Sequence, residues 1–121
     1  MQKINSFKDL IVWQKSMILA KDIYLITESL PKSEVYGLMS QIRRSAVSIP
    51  SNIAEGSKRG TAKDYCQFLK IAQGSGAELE TQLLLLMDIY ANIDTRKELS
   101  LLTEVQRMLT TIIKKLTVVG N

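Results

Sequence analysis

Gln41-Ile42-Arg43-Arg44-Ser45-Ala46-Val47-Ser48-Ile49-Pro50-Ser51-Asn52-Ile53-Ala54-Glu55-Gly56-Ser57-Lys58-Arg59-Gly60 is the stretch on which the reading of the fold turns. Ile42, Ala46, Ile49 and Ile53 recur at steps of four, three and four, the spacing of one helix face. Beside them runs a polar stripe of Gln41, Arg44, Ser48, Asn52 and Glu55. Ser and Asn are weak formers of solvent-facing helix, so their place on that stripe predicts a packed, hydrogen-bonded face between helices or subunits. Arg44 and Glu55 are too far apart to pair within one helix, so their partners are expected on a neighbouring helix or subunit; burial of Arg44 with Glu55 or Glu78 is the alternative to a phosphate contact. Pro50 removes one backbone donor and crowds the carbonyl four residues back, a cost of about 3 kcal/mol in a helix interior. It predicts a kink, with the Ala46 carbonyl satisfied by the side chain of Ser48, Ser51 or Asn52.

Working outward, three more helices follow from the same periodicity. The first is expected over Lys8 to Ser29, with Leu10, Trp13, Met17, Ala20 and Tyr24 inward and a second apolar stripe of Ile11, Ile18 and Leu25. Pro31 ends it. The second begins near Ser33-Glu34, carries Val35 and Leu38 inward, and is closed by Gly56 and Gly60. Thr61 with Asp64 opens the third, whose Tyr65, Phe68 or Leu69, Ala72, Gly76, Leu79, Leu83, Leu86 and Tyr90 form a sustained seam. Gly74, Ser75 and Gly76 allow close approach of another helix there. Thr95 with Glu98, or Asp94 instead, caps the fourth; it buries Leu99, Leu102, Val105, Leu109, Ile112 or Ile113, and Leu116, and stops at Gly120.

No strand alternation persists, and the connections are short. The fold expected is all-α: one domain over residues 1–121, an antiparallel up-down-up-down four-helix bundle. The doubled stripe on the first helix leaves more apolar surface than one neighbour covers, which predicts self-association.

The function classes excluded are informative. The chain has no histidine, which removes the commonest general base and the commonest metal ligand together. Cys66 is the single cysteine, so there is no intrachain disulfide and no thiolate metal cage, and it reads as a small, partly buried residue. Gly74-Ser75-Gly76 lacks the lysine and the preceding strand of a phosphate loop. No catalytic residue, metal or cofactor is expected, and an enzyme is not. The longest strictly apolar run, Leu83 to Met87, is far short of the ~20 residues of a membrane span. Met1 to Asn5 lacks the apolar stretch of a secretory signal, so the cytoplasm is expected.

The net charge of +4 is unevenly spread. Arg43, Arg44, Lys58, Arg59, Lys63 and Lys70 face only Glu55 and Asp64 between residues 43 and 70. From 71 to 94 there are Glu78, Glu80, Asp88 and Asp94 and no base. The six basic residues are the candidate contacts to RNA or DNA phosphates, with an ordinary solvated surface as the plainer alternative. Opposite charges at the two poles also suit head-to-tail assembly into a ring. Tyr65 and Phe68 lie on the core pattern, so backbone recognition is favoured over base stacking. A protein-interaction scaffold using the polar stripe and the acidic pole is the alternative function.

Phe7-Lys8-Asp9-Leu10-Ile11-Val12-Trp13-Gln14, the Gln41–Gly56 segment and Ala72-Gln73-Gly74-Ser75-Gly76-Ala77-Glu78-Leu79-Glu80 together resemble the bacterial four-helix-bundle family encoded in ribosomal-RNA intervening sequences. The chain departs from that pattern at Gly76, where a larger apolar residue is common. The resemblance covers nearly the whole chain and implies a ring, with a homopentamer as the expected size. The chain is also similar to the accessory variability determinants of diversity-generating retroelements. Those are basic pentamers, and the similarity implies nucleic acid and a reverse transcriptase as partners.

Overall fold

The computed structural model describes residues 6–120; Met1 to Asn5, where a missing secretory signal was read, and Asn121 lie outside them. Four α-helices carry the fold: α1 (Ile11–Thr27), α2 (Leu38–Ser57), α3 (Ala62–Ile89) and α4 (Arg96–Gly120). Single 3-10 turns at Phe7–Asp9 and Lys32–Glu34 precede α1 and α2, and there is no strand among the described residues. Each helix packs on its neighbours in sequence, α2 most extensively on α3, and α1 closes the bundle against α4. The four-helix bundle expected from the periodicity is therefore the fold.

The core is a column of aliphatic side chains. Leu19, Ile23, Ile42, Ile49, Ile53, Leu69, Leu79, Leu83, Leu86, Leu102 and Leu109 are fully buried. Burying one such side chain stabilises the fold by roughly 1.5–3 kcal/mol.

Helix α1 faces the core differently from the expectation. Val12, Ser16, Leu19, Ala20, Ile23 and Thr27 are its buried residues. Of the expected inward set, Ala20 is buried and Leu10 and Trp13 pack half-buried against the core, whereas Met17 and Tyr24 are 44% and 43% exposed. Apolar residues recur at helical steps on three faces of α1, so periodicity alone cannot choose among them. Two small hydroxyl residues fit the chosen face because they bond within their own helix: Ser16 to the Trp13 carbonyl at 2.8 Å, Thr27 to the Ile23 carbonyl at 2.7 Å. The Ile11, Ile18 and Leu25 stripe is exposed.

Helix α2 starts later than expected, at Leu38. Gly37 leaves the helical region (φ −111°, ψ −117°), separating the 3-10 turn from α2 and leaving Val35 and Tyr36 exposed. Glu34 joins the two pieces to α3. Its Oε1 accepts the Leu38 amide at 3.3 Å, and its Oε2 accepts the Tyr90 hydroxyl at 2.5 Å. Tyr90 thereby acquires a pKa above its ordinary value, chiefly through that hydrogen bond.

Gly56 does not close α2; it lies inside the helix and is buried. A methyl there would stand 2.7 Å from Cβ of Phe68 and 3.0 Å from Cδ1 of Tyr65, so glycine sets the spacing of α2 and α3. No glycine among the described residues has a positive φ, so neither Gly56 nor Gly60 serves as a left-handed cap. Helix α4 has Gly120 as its last residue, where its stop was expected. Two caps match their sequence signals. Thr61 Oγ1 accepts the Asp64 amide at 3.1 Å, and Asp94 Oδ1 accepts the Arg96 amide at 3.0 Å. Thr95 is not the cap; its hydroxyl donates to the Leu83 carbonyl at 3.1 Å and pins the α3–α4 turn.

Candidate functional site

Antiparallel helices bring the C-terminal turn of α2, the first turns of α3 and the last turns of α4 to one end of the bundle. The Phe7–Asp9 turn joins them: the Lys58 ammonium lies 5.8 Å from the centre of the Phe7 ring. Helix α4 is placed there by Cys66, whose Sγ is 3.9 Å from the Ile113 carbonyl and 3.7 Å from Thr117 Oγ1. This end carries Lys58, Arg59 and Lys63, with Lys70 about two turns further along α3.

Lys114 and Lys115, exposed on α4, belong to the same end. So does the exposed Lys8. None of the three was among the six candidates. The signal was present in the antiparallel order itself, which sets the last turns of helix four beside the first turns of helix three.

The acids at this end are Asp9, Asp64 and Glu55. Glu55 is taken by Arg59 at 3.0 Å, an exposed i,i+4 pair. The Arg59 guanidinium also lies 4.7 Å from the centre of the Phe68 ring. Such exposed contacts hold a side chain loosely and leave its charge available to a ligand.

Arg43 and Arg44 are elsewhere. At 1.5 Å per residue, about 21 Å of helix separates Arg44 from Lys58. Arg43 is committed to the bundle. Its Nε donates to Thr27 Oγ1 at 2.9 Å, its Nη2 donates to the Tyr24 carbonyl at 3.2 Å, and its guanidinium sits 4.4 Å above the Tyr24 ring. Glu28 lies 3.9 Å away. These contacts tie the start of α2 to the end of α1.

Of the polar stripe of α2, Ser48 and Asn52 are half-buried as a packed face requires, whereas Gln41, Arg44 and Glu55 are exposed. Ser48 and Ser75 share a hydrogen bond of 2.7 Å between α2 and α3. Asn52 Nδ2 donates to Ser48 Oγ at 3.0 Å and to the Ser48 carbonyl at 2.8 Å. Gln41, Arg44, Ser45, Ser48, Ser75, Glu78 and Gln82 line a polar pocket of about 270 Å3 along this seam. Arg44 is an exposed wall of that pocket rather than a buried partner of Glu55.

Pro50 is buried in a helix that runs unbroken from 38 to 57. Ser51 Oγ donates to the Val47 carbonyl at 2.8 Å and Asn52 to that of Ser48, so neither takes the Ala46 carbonyl as expected. The ring of Pro50 instead lines an apolar groove of about 560 Å3 between α1 and α2, with Trp13, Met17, Tyr24 and Val47 among its walls.

Of the small residues on α3, Gly74 meets nothing within 4 Å, whereas Gly76 faces the side chain of Gln106 on α4. The departure at Gly76 is thus matched by a glutamine on the facing helix.

Among the described residues no group of three or more His, Cys, Asp or Glu could hold a metal ion, and no helix is long and apolar enough to cross a membrane.

The fold is that of a four-helix-bundle protein. The chain belongs to the family of 23S rRNA-intervening sequence proteins, whose model matches residues 8–111. It is similar to a solved protein of unknown function from the S23 ribosomal protein family of Bacteroides thetaiotaomicron. The two share 29% identity at a TM-score of 0.73, over 86% of this chain and 99% of that one. A search of curated proteins gave no match.

Proposed function

We propose that this chain is a non-enzymatic, oligomeric accessory protein that binds RNA or DNA through the phosphate backbone at its basic end. The observation that carries this reading is the convergence of Lys58 and Arg59 from the α2–α3 connection, Lys63 from α3, and Lys114 and Lys115 from α4 onto one end. Such a cluster binds polyanions by releasing counterions, with little regard to sequence. Lys70 extends the surface along α3, Arg44 is a peripheral contact, and Arg43 serves the bundle first.

Self-association multiplies weak phosphate contacts by avidity. The exposed Ile11, Ile18 and Leu25 stripe, 58%, 55% and 62% exposed, supports a homo-oligomer. A pentameric ring is the assembly we propose from the family resemblance, working in the cytoplasm, with a reverse transcriptase as a candidate protein partner. The family's name makes rRNA the first nucleic acid to try.

The test is binding of labelled RNA and DNA to the purified protein across a salt series, with the mass of each species followed by light scattering. Affinity that falls steeply with salt, and falls again when Lys58, Arg59 and Lys63 are neutralised, is expected. Affinity indifferent to both would overturn the proposal. The second reading, a protein-interaction scaffold, is favoured by the apolar groove between α1 and α2. A reproducible protein partner retained after nuclease treatment, with no salt-dependent oligonucleotide binding, would establish that reading instead.

A further inference from the structure

One cleft at the basic end is open to solvent and unusually uncompensated in charge. It lies between the first turns of α3 and the last turn of α4 and encloses about 480 Å3. Lys63, Cys66, Gln67 and Lys70 form the α3 wall; Leu116 and Thr117 form the α4 wall. Among the described residues no carboxylate lines it. Lys63 and Lys70 are seven residues apart, on one face of α3 and about 10 Å apart along its axis. Among the described residues neither ammonium has an ion-pair partner, in contrast to Arg59 with its Glu55.

The floor is lined by Cys66 and Leu116, and Cys66 is only 9% exposed. Two unpaired ammonium groups beside one concave opening raise the field in it, because charges there are less screened than on a convex surface. The exposed amide of Gln67 supplies a neutral donor at the rim. The Thr117 hydroxyl is oriented by its 2.8 Å bond to the Ile113 carbonyl.

We infer that this cleft seats a backbone phosphate of the bound nucleic acid, with Lys63 and Lys70 clamping it from α3 and the α4 wall limiting its size. This rests on the nucleic-acid reading above and gives it a particular address. Lys58, Arg59, Lys114 and Lys115 then steer the strand, while the cleft fixes its position.

Two variants separate the cleft from the basic end in general. Lys63→Gln with Lys70→Gln removes the clamp. Thr117→Trp fills the opening from an exposed position without changing charge. Binding of fluorescein-labelled 20-nucleotide RNA and DNA is measured by anisotropy across a salt series, and each variant's fold is checked by circular dichroism. The paired lysine variant is expected to bind about tenfold more weakly, with a salt slope lower by about 0.7, the value for one lost single-strand phosphate contact. Thr117→Trp is expected to weaken binding several-fold with its slope reduced.

Wild-type affinity in Thr117→Trp would overturn the cleft. If neutralising Lys58 and Arg59 still weakened binding in that case, the basic-end reading would stand without it. A wild-type protein that bound no oligonucleotide would remove both. Inorganic phosphate is the remaining arm: if it shifts the Thr117 and Gln67 amide resonances while oligonucleotides do not, the cleft serves the free ion and the inference fails.

Discussion

The side-chain amide of Gln106 fills the space above Gly76: a methyl on Gly76 would overlap Nε2 of Gln106. That same nitrogen donates to the Gln73 carbonyl at 2.9 Å. A glycine in α3 and a glutamine in α4 therefore form one unit of the α3–α4 interface. Alanine at 76 would gain about 1 kcal/mol of helix propensity but displace the amide and its hydrogen bond, worth about the same. Gly76→Ala is expected to be close to neutral in the wild type and more favourable by about 1 kcal/mol in a Gln106→Ala background. Urea denaturation of the four proteins in the cycle measures the coupling; equal effects in both backgrounds would contradict it.

Gly56 and Gly74 are expected to respond oppositely to alanine. At Gly56 the obstruction is the Phe68 Cβ and the Tyr65 ring, neither of which can swing away without moving α3. Overpacking there should destabilise by about 1–3 kcal/mol. Gly74 is exposed in mid-helix with open space around it, so alanine should stabilise by up to about 1 kcal/mol. Thermal or urea melts of the two single variants decide this by sign alone.

Adjacent arginines should separate in the same way. Arg43→Ala removes two hydrogen bonds and a ring contact that tie α2 to α1, and should cost about 1.5–3 kcal/mol. Arg44→Ala, at an exposed position, should stay within about 0.5 kcal/mol. Equal destabilisation by the two would mean that the assignment of Arg43 to the bundle is mistaken.

Asp94 should make the start of α4 sensitive to acid. Its hydrogen bonds from the Arg96 side chain and amide hold its pKa at about 2, below the usual 3.8. A carboxyl whose folded pKa is depressed contributes stability above its unfolded pKa and loses it as pH falls through the folded value. That contribution should be present above pH 3.8 and disappear towards pH 2. Asp94→Asn should lower the melting temperature at pH 7 and reduce the difference between pH 5 and pH 2.5. An unchanged acid profile would sink the assignment.

The exposed stripe of α1 should govern assembly rather than folding. Ile18→Glu with Leu25→Glu places charge on residues that the single chain leaves exposed. Helicity should be retained while the light-scattering mass falls towards the monomer. A mass unchanged by the substitutions would exclude this stripe as the association surface.

How much could be read in advance depended on how many faces of a helix were apolar. Helices α3 and α4 carry one dominant stripe each, and Leu69, Leu79, Leu83, Leu102, Val105 and Leu109 are buried as their spacing predicts. On α1 apolar residues occur on three faces, and the one chosen was not foreseen. The basic end was legible in part. Lys58, Arg59 and Lys63 are close in sequence, whereas Lys114 and Lys115 are brought beside them only by the fold.

By itself the sequence determined the helical class, the number of helices, the cap at Thr61, and the absence of histidine-based chemistry. Those are local properties: periodicity, propensity and side-chain reach to the nearest backbone amide. Tertiary structure alone decided which face of α1 is buried, that Gly56 is a spacer rather than a helix stop, and that Arg43 is committed to the end of α1. The reason is physical. Each of these depends on the rotation and approach of two helices, which is set by what the partner helix brings to the contact.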